Sequence, residues 1–164
     1  VAEIRGLAEL FAALDGVGVT LRQAGRGACN AAAQVVKAKA IENARAQGLV
    51  STGALVNNIA VKRQLGTPPD IFEYHVGVRS GHEAKGSQKV AVRGRDGSIR
   101  LEYTDNPFYW RMWELGHYNV LLRAFVPARA FLRPAMDSKQ DELVGVMRDY
   151  LAARLERVMD KAIA

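Results

Sequence analysis

The stretch from Thr20 to Gln47 constrains the fold more than any other part of this chain. Thr20-Leu21-Arg22-Gln23 has the order of a capping box, in which the hydroxyl accepts from the third helical amide and the glutamine reaches back. Gly48 follows as a stop. Between them Leu21, Ala24, Ala28, Ala31, Val35 and Ala38 recur at helical spacing, with Gly25 and Gly27 among many alanines. A helix with so little side chain on its apolar face lets another helix or a sheet approach closely. Its polar side carries Arg22, Arg26, Lys37, Lys39 and Arg45. Upstream, Leu7, Leu10, Phe11 and Leu14 predict a separate helix over residues 6–15, broken by Gly16 and Gly18, and Val1–Arg5 reads as an edge strand.

After Gly48 the period changes. Ser51–Leu55 is a tight polar turn with hydroxyls suited to capping. Ile59, Val61 and Leu65 then alternate with Ala60, Lys62 and Gln64, and after the Gly66–Asp70 turn Phe72, Tyr74, Val76 and Val78 alternate in the same way. These runs predict an antiparallel hairpin with one buried face, His75 lying off that face. Residues 80–88 read as a mobile loop. Lys89–Val92 and Ile99–Tyr103 flank Gly94-Arg95-Asp96-Gly97-Ser98, a second hairpin signal, and place Lys89, Arg93, Arg95 and Arg100 on a projecting arm. A short aromatic helix spans Phe108–Leu115 and ends at Gly116, and an apolar, proline-containing connection leads to Phe131. Pro134 suits the first position of a helix that runs to about Lys161, with Leu143, Met147, Tyr150, Leu151, Leu155, Val158 and Ala162 as its stripe. The expected class is α+β, an antiparallel sheet of hairpins packed by a long N-terminal helix and a long C-terminal helix. The expected organisation is one domain over residues 1–164, with a projecting loop and hairpin at about residues 80–100.

The residue types for chemistry are sparse. Cys29 is the single cysteine, so no disulfide closes within the chain and no cysteine-based zinc site forms. Glu114 and His117 stand three apart, a spacing that chelates a metal or makes a structural pair, but two ligands fall short of the ~4 a structural zinc needs. Gly25-Arg26-Gly27 lies inside a helical pattern and lacks the Gly-Lys-Ser/Thr ending of a phosphate loop. No nucleophile elbow is present. The reading is therefore of a protein without catalytic residue, metal or cofactor, and not an enzyme. No apolar run nears the ~20 residues that span a bilayer, and Val1–Arg5 lacks the apolar core of a leader, so folding in a cytoplasm is expected. With 23 Lys and Arg against 17 Asp and Glu, the net charge is +6. That suits either an acidic protein neighbour, a solvated surface, or nucleic acid bound through phosphates.

Two segments carry a resemblance. Val50-Ser51-Thr52-Gly53-Ala54-Leu55-Val56-Asn57-Asn58-Ile59, after an Ala- and Lys-rich helix, is similar to the "D-T-G-x-L-x-x-S-I" stretch of the tail-completion, or neck, proteins of lambda-like long-tailed bacteriophages. Tyr109-Trp110-Arg111-Met112-Trp113-Glu114-Leu115-Gly116 resembles that family's "Y-A-x-F-x-E-F-G" turn, and Pro127–Met136 its "P-A-R-P-F-L-R-P-A-L" approach to the last helix. Ser51 stands where Asp is usual, Ala130 where Pro is usual, His117 where Thr or Ser often follows the Gly, and the Ser80–Ile99 insertion is longer than typical. The resemblance implies a virion structural protein of the head–tail junction, assembled in the host bacterial cytoplasm. Copies would form a ring, six-fold by analogy, between connector or stopper proteins on the head side and the tail terminator or tube protein on the tail side. It implies no cofactor and no catalytic residue. A tail terminator ring and a basic nucleic-acid-binding module stay open as alternatives. The residues expected at interfaces are Arg93, Arg95 and Arg100 on the arm, facing a neighbour or DNA in the lumen, one of Trp110 and Trp113, and Arg129 and Arg133, with intrachain packing as the competing role for each.

Overall fold

The computed structural model describes the backbone of residues 7–68 and 70–163 and the side chains of residues 18–68 and 70–157. The edge strand read at Val1–Arg5 lies outside the described residues, as do the side chains of Leu7, Leu10, Phe11, Leu14, Val158 and Ala162. The architecture is α+β, with a long helix at each end and short antiparallel strand pairs between them.

The first helix, α1, runs unbroken over Leu7–Ala46. Gly16 and Gly18 lie inside it, and Thr20 sits mid-helix instead of at a cap. Glycine costs about 1 kcal/mol against alanine but does not bar helical angles, and propagating through two such residues is cheaper than nucleating a second helix. The C-terminal end follows the sequence. Gly48 takes φ 67, its amide donates to the Arg45 carbonyl at 2.9 Å, and the Leu49 amide donates to the Ala44 carbonyl at 3.0 Å. This is a Schellman stop, and buried Leu49 and Ala44 supply its usual apolar contact.

The buried ridge of α1 differs from the expected stripe. Ala24, Ala28, Ala32, Val36, Ala40 and Ala44 are all buried, four residues apart throughout. Leu21 and Ala38 are exposed, while Ala31 and Val35 are half-buried. A strict four-residue row drifts about 40° per step around the helix, so it winds instead of forming a straight seam. That suits a helix covered by several partners, and α1 packs against all of the elements α2 (Ala54–Asn58), β1 (Ile59–Arg63), β2 (Tyr74–Val78), α4 (Leu132–Asp137) and α5 (Gln140–Ile163). The thin face predicted from glycine is used. A Cβ on Gly25 would lie 2.6 Å from the Phe72 ring, and one on Gly27 would collide with the ring and hydroxyl of Tyr150 on α5. Gly18 has nothing within 4 Å. Gly18→Ala should therefore gain up to about 1 kcal/mol of stability from helix propensity, while Gly25→Ala must displace Phe72 and should fall below it in paired urea melts.

The strands form three separate two-stranded pairs. In β1–β2, Ile59 faces Val78 and Val61 faces Val76. Ile59 is buried and both β2 valines pack on the core, so the buried face is the one the alternation indicated. Leu65 falls beyond the end of β1 and is 75% exposed. Residues 80–88 are tied down where a mobile loop was expected. They contain a 3-10 turn (Gly81–Glu83), Ala84 is buried, and the Lys85 amide donates to the side chain of buried Asn58 at 2.6 Å. Asn58 in turn donates to the Ala54 carbonyl at 2.8 Å, so this polar core residue is satisfied. β3 (Lys89–Arg93) and β4 (Ile99–Tyr103) form the expected second hairpin, and every residue of the two strands except half-buried Tyr103 is exposed.

A short helix, α3 (Trp110–Leu115), ends at Gly116 as expected, with φ 75. The connection after it holds a third hairpin, β5 (His117–Asn119) with β6 (Ala124–Val126), that the sequence reading passed over. The C-terminal helix is two helices, α4 and α5, joined at Ser138 and Lys139. Pro134 is the third residue of α4, where its missing N–H still falls among the donors that lack an intrahelical acceptor. The bend lets Ala135 of α4 and Leu143 of α5 enter the core together.

Candidate assembly surfaces

Glu114 organises the region where α3 meets α4. Its carboxylate accepts from the amides of Phe131 at 2.9 Å, Leu132 at 3.0 Å and Arg133 at 2.9 Å. One side chain thus satisfies the free donors at the start of α4 and sets a negative charge against the positive end of that helix. From the other side α1 holds the same segment, with Asn43 donating to the Phe131 carbonyl at 3.2 Å and Gln47 to the Ala130 carbonyl at 2.7 Å. The Arg129 amide donates to the Trp113 carbonyl at 2.7 Å. Held on both sides, Phe131 is fully buried. The Tyr109–Gly116 and Pro127–Met136 motifs are two halves of one junction, and the Glu114–His117 pair weighed from the spacing gives way to a helix cap. His117 instead faces a neighbouring cleft with its Nδ1 buried and without a protein partner.

That cleft has a volume of about 610 Å³ and lies between the α1 stop, α3 and the third hairpin, with Leu49, Met112, Trp113, His117, Val126 and Arg129 in its wall. Beyond it the β5–β6 hairpin is apolar and uncovered. Leu121 is 95% exposed, Val120 77%, Leu122 70% and Phe125 65%. Contiguous apolar surface of this kind marks a place where another protein docks.

The arm β3–β4 is the other uncovered feature. Arg93, Arg95 and Arg100 are all exposed there, and Arg100 lies 4.0 Å from Asp96. An isolated two-stranded hairpin is marginal in water, so the arm gains from any partner that covers it. Its turn is held by Asp96, which accepts from the Ser98 hydroxyl at 2.7 Å and the Ser98 amide at 3.2 Å. These bonds hold the Asp96 carboxyl below the usual aspartate range, the hydroxyl bond first and the amide second. A depressed carboxylate pKa stabilises the folded turn above the ordinary aspartate value and loses that contribution as pH falls through the lower folded one. The Ser98 amide resonance should accordingly titrate with a midpoint below 3.8, the usual aspartate value, and a midpoint at or above it would contradict the turn bonds.

The remaining interface expectations fall at the junction. Trp110 and Trp113 are both half-buried and both pack on the core, with Arg111 over the first ring at 5.4 Å and Arg129 over the second at 5.6 Å. Arg129 and Arg133 are exposed. The structure brings Trp113, Arg129 and Arg133 together around Glu114 and leaves the arm arginines apart on their hairpin. The basic face of α1 is partly engaged within the chain: Arg22 pairs with Asp70 at 3.2 Å, Lys39 with Glu42 at 2.8 Å, and Arg26 lies 5.8 Å from the Phe72 ring centre. Cys29 is half-buried on α1, and burial pushes its thiol up, away from the thiolate a nucleophile needs. Among the described residues no three His, Cys, Asp or Glu side chains gather to hold a metal ion, and no helix is long and apolar enough to cross a membrane.

Apolar side chains held outward, a basic arm exposed on both faces and a rigid helical base define a class: a small α+β subunit made to be covered by other proteins. The chain belongs to the HK97-gp10-like family, described as "Bacteriophage HK97-gp10, putative tail-component", whose sequence profile matches residues 8–116, about two-thirds of its length. It is a structural component of the phage tail apparatus and thereby of the virion. The match stops at Gly116, so the third hairpin and the Pro127–Met136 segment lie beyond it. No curated protein and no solved structure matches the chain.

Proposed function

We propose that this chain is a tail-completion, or neck, subunit that folds as one domain and closes with five other copies into a ring joining the tail to the capsid connector. The uncovered hairpin β5–β6, in a chain of a tail-component family, is the observation that carries the reading. The role is geometric and not enzymatic. One surface of the ring docks on connector or stopper proteins, and the opposite surface meets the terminator or tube protein. Arg93, Arg95 and Arg100 on the arm reach a neighbouring subunit or the DNA in the lumen, and Trp110, Trp113, Arg129 and Arg133 form a firm edge for contact between subunits. The test is electron microscopy of lysates from a phage whose copy of the gene carries a stop codon. Full heads beside free tails of normal length support a neck role. Overlong tails would make the chain a tail terminator, and intact virions would overturn both and favour nucleic-acid binding.

A further inference from the structure

The third hairpin has an apolar outer face and, opposite it, a mixed face that lines the cleft. Opposed residues of a strand pair share a face. His117 with Val126 and Asn119 with Ala124 lie on one face, and His117, Asn119 and Val126 line the cleft. Tyr118 with Phe125 lies on the other, 60% and 65% exposed. The tip adds Val120, Leu121 and Leu122. It does not collapse onto the body, because it is held. The Asn119 side-chain oxygen accepts from the amides of Leu121 at 3.0 Å and Leu122 at 3.1 Å, and Arg123 closes the turn at φ 49. A hairpin three residue pairs long cannot fold its own tip into a cleft at its own base. The plug and the socket of one chain therefore meet only across two molecules.

We propose that the Tyr118–Phe125 face and the leucine tip of one copy seat in the cleft of the next copy, giving a head-to-tail contact. The inference rests on the proposed role as an assembly subunit and names the contact that builds it. Because plug and socket lie on opposite faces of one hairpin, one neighbour cannot fill both, so each copy meets two neighbours and the contact propagates head to tail, closing into a ring where its rotation allows. The size is sufficient. An aromatic side chain buries about 150–250 Å², so two aromatics with three aliphatic neighbours make up most of the roughly 800 Å² per partner of a standard interface. Arg123 on the plug and Arg129 in the socket are both cationic and oppose the contact, so attraction comes from apolar burial, and high salt, which screens that repulsion, favours it, whereas a phosphate-bound partner would be released.

The test uses the full chain in two variants, measured by light scattering after size exclusion at high salt. Leu121→Glu with Leu122→Glu disables the plug. Met112→Glu, at a 43% exposed position in the cleft wall, disables the socket. Thermal melts check that each still folds, and Ser51→Arg on the exposed rim replaces Met112→Glu if that variant melts early. Wild type should form species larger than a dimer, and each variant alone should be a monomer. An equal mixture of the two should form heterodimers, since one chain keeps a socket and the other a plug. A monomeric wild type, a plug variant that assembles normally, or a mixture that stays monomeric would each overturn the contact. A monomeric protein whose absence still separates heads from tails would leave the neck role standing and assign the plug to a different phage protein.

Discussion

Replacing Phe131 with alanine is expected to cost about 3–5 kcal/mol of folding stability. Phe131 is 0% exposed and stands in the core cluster with Val36, Ala40, Leu55, Ile59 and Leu143. Its surroundings cannot easily close over the gap, because the backbone on either side is fixed. Asn43 and Gln47 hold the carbonyls of Phe131 and Ala130, and Glu114 holds the amides of Phe131 and Leu132. A site that cannot collapse pays the cavity term in full, at the upper part of that range. Phe125→Ala is the control. At 65% exposure its loss should change monomer stability by no more than about 0.5 kcal/mol. Urea denaturation of both variants separates the roles: a large drop in midpoint for Phe131→Ala with little for Phe125→Ala is expected, and equal effects would contradict the burial assigned to each.

Glu114→Ala is expected to cost about 2–3 kcal/mol, more than the roughly 1 kcal/mol usual for a lost helix cap. The excess has a physical source. An ordinary cap serves one or two amides, and Glu114 serves three with a charged acceptor. Without it those donors at the start of α4 must find water, and the segment that seats Phe131 loosens. Glu114→Gln keeps one acceptor oxygen of similar reach and should recover part of the loss. Amide hydrogen exchange gives a local readout, with faster exchange expected at Phe131, Leu132 and Arg133 in Glu114→Ala. Unchanged protection at those amides would show that the cap does not hold the segment.

The elements legible in the sequence were those whose signals are local. Gly48 and Gly116 end their helices because each stop takes a positive φ that glycine adopts freely. The β1–β2 and β3–β4 hairpins follow from period-two alternation around turn-forming residues. The rigid approach to Phe131 is visible in Pro127 and Pro134, which fix φ on either side of it. Readings that depend on what packs where fared less well. The buried ridge of α1 follows a spacing of four, set by the several elements that cover it, and no single-partner stripe reveals that. Gly16 and Gly18 read as a break because propensity is visible in the sequence and helix cooperativity is not. Glu114 was weighed against His117 three residues away, yet its partners lie 17 to 19 residues on. The third hairpin escaped because Val120-Leu121-Leu122-Arg123 contains no glycine or proline and its apolar residues suggest burial. Asn119, whose side chain folds the turn, was the one signal that pointed to it.

The central claim is that this chain is a ring subunit at the junction of head and tail. A cryo-electron microscopy map of that junction in intact virions tests it most directly. The account predicts a ring of identical subunits between connector and tail, each fitted by α1 lying against α5, with the β5–β6 hairpin touching the next copy. Density for the protein elsewhere in the tail, or a junction ring into which this fold cannot be placed, would contradict it.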